Sequence, residues 1–246
     1  MLVITIKIII LAAGYGTRLY PLTLDKPKAF LDIGGITVLD LIMDRLREVK
    51  TDGVYVVTND KFYDLFSEWS RKYEGVRIIN DKTRSNEERL GAVGDLKYAI
   101  DNERIDDDIV VINSDNVFLF PFKPIFDKFN GISLDMLVLY DVKTKEEASK
   151  MGIAKLDDYG NMVYFEEKPK DPSTTLVSIG FYMYKRETVK LLDRYKSEGG
   201  RMEGPGFFNA WLTGLKKVNS YIVEGDDKWF DIGTKEIYDY VYNLKK

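Results

Sequence analysis

The chain of 246 residues has no cysteine and no histidine, and glutamine is missing as well. Without cysteine there is no disulfide, no thiolate nucleophile and no thiolate metal ligand. Without histidine, neither a Ser-His-Asp arrangement nor an imidazole-bound zinc can exist. A metal working here must be held by oxygen, a donor set that favours magnesium or manganese. No stretch approaches the roughly eighteen consecutive apolar residues that a membrane span requires. Met1 to Ile10 is apolar, yet its single charge is Lys7 and it runs into a glycine loop instead of a cleavage site, so it reads as a strand and not as a signal peptide. An excess of basic charge is lacking too. Lys and Arg number 36 against 40 Asp and Glu, a net charge of −4, which argues against a nucleic-acid footprint or a basic membrane-binding face. The expectation is a soluble, cytoplasmic chain.

What is present is ample apolar material: 45% hydrophobic residues, 13% aromatic, enough to bury a core in one large domain or two small ones. Ile6 to Ala12 is apolar nearly throughout, the pattern of a strand covered on both faces. Gly14-Tyr15-Gly16-Thr17-Arg18-Leu19 follows at its carboxyl end, where open α/β sheets place ligands. Gly14 and Gly16 remove side chains that would keep a phosphate from the backbone N–H groups. Thr17 offers a hydroxyl, Arg18 a planar fork of donors, and Lys28, set by Pro27, a second cation. The dinucleotide fingerprint fails at Leu19, where it needs a third glycine, and no Gly-Lys-Ser/Thr closes the run as a P-loop would. A plain tight turn needs neither cation, so the pair favours a phosphate-binding loop. Tyr15 is either a lid on a bound nucleotide or an exposed loop residue.

Further along, Thr37 caps a helix over 38–46, 53–59 reads as a strand, 61–73 as an amphipathic helix and 76–80 as a third strand. That alternation implies a parallel sheet covered on both sides. A polar loop over 81–89 leads to Leu90-Gly91-Ala92-Val93-Gly94, which opens the next helix. Small residues there admit a flat ligand to the backbone amides or mark close helix packing. Asp106-Asp107-Asp108 precedes the strand 109–113 and so lies at the wrong end of the sheet for a metal; it reads as a solvated turn. Asp115 follows the same strand at its carboxyl end and is the better magnesium candidate. Segments 121–129 and 133–140 read as helix and strand. Beyond residue 141 the alternation stops. Segments 151–155 and 161–166 flank the turn Asp157-Asp158-Tyr159-Gly160 as a hairpin, followed by a strand from Val177, helices over 186–196 and 206–215, a strand over 217–224 and a closing helix over 235–242. Trp211 and Leu212 read as packing residues.

Leu11 to Leu19 with Pro21-Leu22-Thr23 and Pro27-Lys28 resembles the signature of the sugar-1-phosphate nucleotidyltransferases, also called nucleoside-diphosphate-sugar pyrophosphorylases. The family's commoner Gly-Gly pair is Ala13-Gly14 here. Later runs extend the resemblance over almost the whole chain: Leu90-Gly91-x-x-Gly94, Ser114-Asp115, Glu166-Glu167-Lys168-Pro169 and Trp229-x-Asp231-x-Gly233-Thr234. Ser114 departs from the family's usual glycine. The resemblance implies an α/β fold, a Rossmann-like, mostly parallel sheet covered by helices on both faces, with an antiparallel sugar-binding lid inserted in the second half. It implies a single nucleotidyltransferase domain over 1–246, with a nucleotide-binding half over 1–141 and a sugar-binding half and closing helix over 142–246.

By the same resemblance, Leu11, Ala12, Ala13, Gly14, Gly16, Thr17, Leu90, Gly91, Asn113 and Ser114 would bind the nucleotide, and Gly152, Glu167, Lys168 and Gly180 the sugar phosphate. Asp115 and Asp231 would hold Mg2+. Arg18 and Lys28 would be catalytic, Arg18 on the leaving pyrophosphate and Lys28 near the reacting phosphate. The implied reaction moves a nucleoside monophosphate from a nucleoside triphosphate to a sugar 1-phosphate. Family members often carry a carboxyl-terminal β-helix, and acetyl transfer by such a domain is not expected here.

Three other readings compete. A nucleotidyltransferase for a non-sugar phosphate fits Glu166 to Pro169 poorly. A glycosyltransferase would leave Arg18 and Lys28 surplus, and a catalytically silent nucleotide-sugar-binding regulator would not need the pair of metal carboxylates. The base and the sugar stay open, as does oligomeric state, with a homo-oligomer among the alternatives. Base-edge contacts would come from the backbone of residues 90–94 or from Asn86, Glu87 or Glu88.

Overall fold

The computed structural model describes residues 6–244, so the expected strand over Met1 to Ile10 is described from Ile6 and its first five residues lie outside. The apolar run forms β1 (Ile6–Leu11). Ile6, Ile8 and Ile10 enter one hydrophobic core and Ile9 and Leu11 a second, on the opposite face. A strand between two cores has no polar face to alternate with, which is why the run is continuous. Around it lie β2 (Val54–Thr58), β3 (Val76–Asn80) and β4 (Asp108–Asn113). β1 pairs in parallel with β2 and β4, and β2 with β3.

The connections are α1 (Val38–Leu46), α2 (Tyr63–Ser70) and α3 (Ala92–Glu103). Thr37 caps α1 by accepting from the Asp40 N–H at 3.1 Å. The amphipathic segment expected over 61–73 divides, because the Asn59 side chain accepts from the Phe62 N–H and holds Asp60–Phe62 in a 3-10 turn before α2 begins. The Asn59 amide also donates to the Ala13 carbonyl at 2.9 Å, tying that turn to the glycine loop.

The remaining elements are β5 (Asn116–Phe118), α4 (Lys123–Asn130), β6 (Asp135–Asp141), α5 (Lys145–Ala148), β7 (Gly152–Leu156), β8 (Met162–Glu167), β9 (Leu176–Tyr184), α6 (Arg186–Val189), α7 (Leu191–Ser197), α8 (Pro205–Leu215), β10 (Val218–Val223), β11 (Trp229–Asp231) and α9 (Lys235–Leu244). Among the described residues nine strands form one sheet in the order β10-β6-β9-β4-β1-β2-β3, with the β7-β8 hairpin joined to β9 through Ile153 and Val177. β9 runs antiparallel between β4 and β6. The hairpin of the second half is therefore continuous with the main sheet, carried there by the length of β9. Its turn forms as expected: Asp157 Oδ1 accepts from the Tyr159 and Asn161 N–H groups. β5 and β11 make a separate antiparallel pair beside the sheet.

Asp106 and Asp108 lie at the amino-terminal end of β4. Asp106 pairs with Arg186, and Asp108 accepts from Lys185 Nζ at 3.1 Å and from the Arg186 N–H at 2.8 Å. They anchor the start of α6, so the expected solvated turn is in part a half-buried ion-pair cluster.

Candidate active site

β1 ends at Leu11 and the chain turns through the glycine loop over a cavity of about 420 Å³. Gly16 adopts the left-handed conformation at φ 65° and opens a 3-10 turn over Thr17–Leu19 that buries Leu19 and leaves Thr17 and Arg18 exposed. Thr23 fixes this shape by donating its hydroxyl to the Gly16 carbonyl at 2.8 Å. Nothing lies within 4 Å of where a Gly14 side chain would begin, so its backbone faces open space. Leu11, Ala12, Ala13, Gly14, Gly16, Thr17, Gly91, Asn113 and Ser114 all line this cavity. Leu90 departs from the expectation: it is exposed and outside the lining, because Gly91 bends the chain at φ 81° and Leu90 packs against Gly94 instead. Tyr15 is not exposed: it is buried, lines this cavity and has its hydroxyl 3.2 Å from Thr83 Oγ1.

A second cavity of about 970 Å³ adjoins the first, lined by the carboxyl ends of β4 and β8 and the amino end of β7. Gly152, Glu167, Lys168 and Gly180 line it, with Asp231. Arg18, Asn113 and Asp115 line both cavities and mark the place where they meet. There Lys28 Nζ bonds Asp115 Oδ2 at 2.9 Å. The β5-β11 pair sets Asp231 opposite Asn116, and the Ile232 N–H donates to the Asp115 carbonyl at 2.8 Å, which brings the two aspartates together from distant parts of the chain.

Asp231 Oδ1 is buried without a hydrogen-bond partner. Burial and the neighbouring Asp115 carboxylate push its carboxyl up to about 6, against the pull of Lys28, Arg18 and Lys168. A buried carboxylate with no donor, next to a second carboxylate, is a donor set that fits a hard cation. Among the described residues no group of three or more Asp, Glu, His or Cys is gathered, so a cation there would complete its shell with water and phosphate oxygens, the habit of magnesium.

Three supports of this site escaped the sequence reading. Asn116 donates to Asp115 Oδ1 at 3.0 Å while its own Oδ1 accepts from the Trp229 indole N–H at 2.7 Å, which orients the aspartate. Gly206, at the start of α8, lies against the Glu167 carboxyl so closely that a methyl group there would overlap it. The Gly-Pro-Gly run over 204–206 signals a helix start, but nothing local connects it with Glu167. Burial raises the Glu167 carboxyl, offset in part by Lys168 and Arg201. Asp95, on α3, is the third; it lines the first cavity and is buried beside Asp81.

The nucleotidyl transferase family profile matches residues 7–244. The chain is 31% identical over 176 residues to the UTP--glucose-1-phosphate uridylyltransferase AglF of Haloferax volcanii, covering 72% of this chain and 70% of that one. It is 30% identical over 233 residues to the mannose-1-phosphate guanyltransferase of Saccharomyces cerevisiae, covering 92% of this chain and 61% of that one. Against other curated relatives it likewise spans between 50% and 61% of their length. A crystal structure of UDP-glucose pyrophosphorylase complexed with UDP-glucose superposes with a TM-score of 0.81 at 19% identity, over 98% of each chain, a likeness of fold. Within the described residues no helix is long and apolar enough to cross a membrane. With the glycine loop, the paired aspartates and a family match that runs nearly end to end, the chain belongs to the sugar-1-phosphate nucleotidyltransferases of the nucleotidyl transferase family.

Proposed function

We propose that this chain transfers a nucleoside monophosphate from a nucleoside triphosphate to a sugar 1-phosphate, releasing pyrophosphate and a nucleoside-diphosphate sugar, with magnesium as its metal. The observation that carries the reading is the meeting of two cavities at Arg18 and Asp115, with Lys28 and the donorless Asp231 at the junction. One cavity has the open backbone a triphosphate needs, the other a buried carboxylate that can accept sugar hydroxyl protons. The relatives named for uridylyl and guanylyl transfer to sugar phosphates support it.

In this reading residues 1–141 supply the nucleotide half and 142–246 the sugar half of one domain. A phosphate oxygen of the sugar phosphate attacks the α-phosphorus in line, and the bond from that phosphorus to the bridging oxygen of pyrophosphate breaks. The nucleophile is already an anion at neutral pH, so no general base is required, and a chain without histidine loses nothing. Arg18 holds the leaving pyrophosphate and Lys28, released from Asp115, neutralises the reacting phosphates. Glu167 accepts sugar hydroxyls and Lys168 faces the sugar's phosphate. Asp115 and Asp231 would hold the magnesium, which supplies charge neutralisation on the phosphate oxygens. A cytoplasmic location fits the supply of nucleoside triphosphate.

The test is pyrophosphate release from purified protein across a grid of nucleoside triphosphates and hexose 1-phosphates, with magnesium and with chelator. Magnesium-dependent release in one cell of the grid is the expected result. Silence in every cell, with nucleotide still bound, would overturn the reaction.

A further inference from the structure

The glycine loop presents backbone to phosphates, and the base must be read elsewhere in the same cavity. The first turn of α3 runs along that wall, but its amides are already paired. The Ala92 N–H donates to the Glu203 carbonyl at 3.0 Å, and the Val93 and Gly94 N–H groups donate to the Met202 carbonyl at 2.9 and 3.4 Å. Gly91 permits this contact, since a methyl group there would come within 2.5 Å of the Met202 carbonyl oxygen. The Gly91 carbonyl in turn accepts from the Asp95 N–H at 2.7 Å. With these amides occupied, and the exposed Glu203 apart, reading falls to the polar side chains along the wall: Asn86, Arg89 and Asp95.

Asp95 differs from the other two. It is more than nine-tenths buried, whereas Arg89 is exposed and Asn86 half-exposed, the two holding each other through a guanidinium–amide bond of 3.0 Å. Asp95 Oδ1 and Asp81 Oδ2 are both buried with no hydrogen-bond donor, and the two carboxyls are electrostatic neighbours, an arrangement that a shared proton would relieve. Asp81 Oδ1 already accepts from the Thr83 N–H at 2.7 Å and from its hydroxyl at 2.8 Å, and Thr83 Oγ1 accepts from the buried Tyr15 hydroxyl. Asp81 is thus solvated as an anion by two donors, while Asp95 has none. Burial and the Asp81 charge push the Asp95 carboxyl up to about 8, so at neutral pH it is the acid of the pair. If that acid gave its proton to Asp81, its other oxygen would be left as a fixed acceptor, and no donor among the described residues occupies it.

We infer that Asp95 reads the base, accepting the ring N–H of uracil, thymine or guanine and disfavouring cytosine and adenine. The assignment rests on the nucleotidyltransferase reading and deepens it. Uracil, thymine and guanine share an edge on which a ring N–H stands beside a carbonyl oxygen. An acceptor from Asp95 with a donor from Asn86 or Arg89 complements that edge. Cytosine and adenine reverse both groups, placing a ring-nitrogen acceptor against the Asp95 oxygen and an amino donor against the cationic side. A mismatch of that kind buries two unpaired polar groups, which makes hydrogen-bond readout more selective than shape.

The test is calorimetric binding of UTP, dTTP, GTP, CTP and ATP to the wild-type chain, Asp95→Asn and Asp95→Ala, without sugar phosphate. The wild type is expected to bind at least one of the first three about tenfold or more tighter than both CTP and ATP. Asp95→Asn, whose amide N–H can face Asp81 while its carbonyl faces the base, should keep that preference. Asp95→Ala should bring it under about threefold while triphosphate binding persists through the glycine loop. A residue with a merely structural role would lower stability and leave the ratio alone. A wild type that prefers CTP or ATP overturns the assignment, as does a folded Asp95→Ala with its preference intact. Should the alanine variant not fold, the nearly isosteric Asp95→Leu takes its place. Because binding is read without turnover, a chain that binds UTP selectively yet releases no pyrophosphate would fail the reaction and leave the base assignment standing.

Discussion

The two cavities that meet at Arg18 are built by opposite means. The one at the glycine loop is a backbone cradle made largely from a single stretch at the end of β1, shaped by Gly16 and held by Thr23 and Asn59. The larger one is a side-chain cradle: Glu167 from β8, Asp231 from β11 and Gly206 from α8 converge from separate parts of the chain. A backbone cradle depends on local conformation. A side-chain cradle depends on remote neighbours staying small or donating a hydrogen bond, and it is the easier of the two to break by a change that touches no ligand.

The largest expected effect is at the junction, where both cavities should fail together. Asp115→Ala or Asp231→Ala is expected to lower turnover by about a hundredfold or more, the usual scale for an electrostatic stabiliser of the reacting phosphates. Pyrophosphate release from a folded variant checks it, and near-wild-type turnover would remove that aspartate from the metal site. Gly206→Ala should then separate the two cavities. The added methyl displaces the Glu167 carboxyl, so the sugar-phosphate KM should rise by about tenfold while calorimetric nucleotide affinity is unchanged. Equal losses on both sides would mean the cradles are not independent. Lys168→Ala acts on the same cavity more gently, because the side chain is largely exposed and its charge is screened; a rise of roughly threefold in the sugar-phosphate KM is expected, and no rise would take Lys168 off the phosphate.

The smallest effect is on stability and belongs to the first cavity. Folding holds a proton on Asp95 that the unfolded chain would release, so its contribution is complete below the ordinary carboxylate range and is lost as pH climbs towards about 8. Wild-type Tm should therefore fall over that interval more steeply than the Tm of Asp95→Asn, which has no such proton to lose. Parallel Tm curves from thermal melts between pH 5 and pH 8 would show that the proton is not held.

The same contrast explains what the sequence disclosed. β1, the helix cap at Thr37 and the glycine loop are local statements about periodicity and backbone shape, and each was legible without knowing its neighbours. The pairing of Asp115 with Asp231 was legible only through the family resemblance, since it depends on β5 meeting β11 across more than a hundred residues. Leu90 lies outside the cavity lining, which the small side chains of the run over 90–94 do not disclose, since the positive φ at Gly91 and the carbonyls of Met202 and Glu203 decide which groups face the cavity. Asn116, Gly206 and Asp95 carry no local mark of their role. An asparagine after an aspartate, a glycine after a proline and an acid in a helix are ordinary until Trp229, Glu167 and Asp81 arrive beside them.

The position of β9 also governs the order in which the molecule can be made. β6 has only β9 and β10 as neighbours, and β9 separates it from β4. A nascent chain that has emerged as far as Asp141 therefore carries β6 with both edges bare and β4 with one. Those edges are open to wrong pairing until Leu176–Tyr184 arrives, and the far side of β6 until Val218–Val223. From Asp141 until Tyr184 has emerged the sheet must wait in two pieces, and a chaperone would act on this interval.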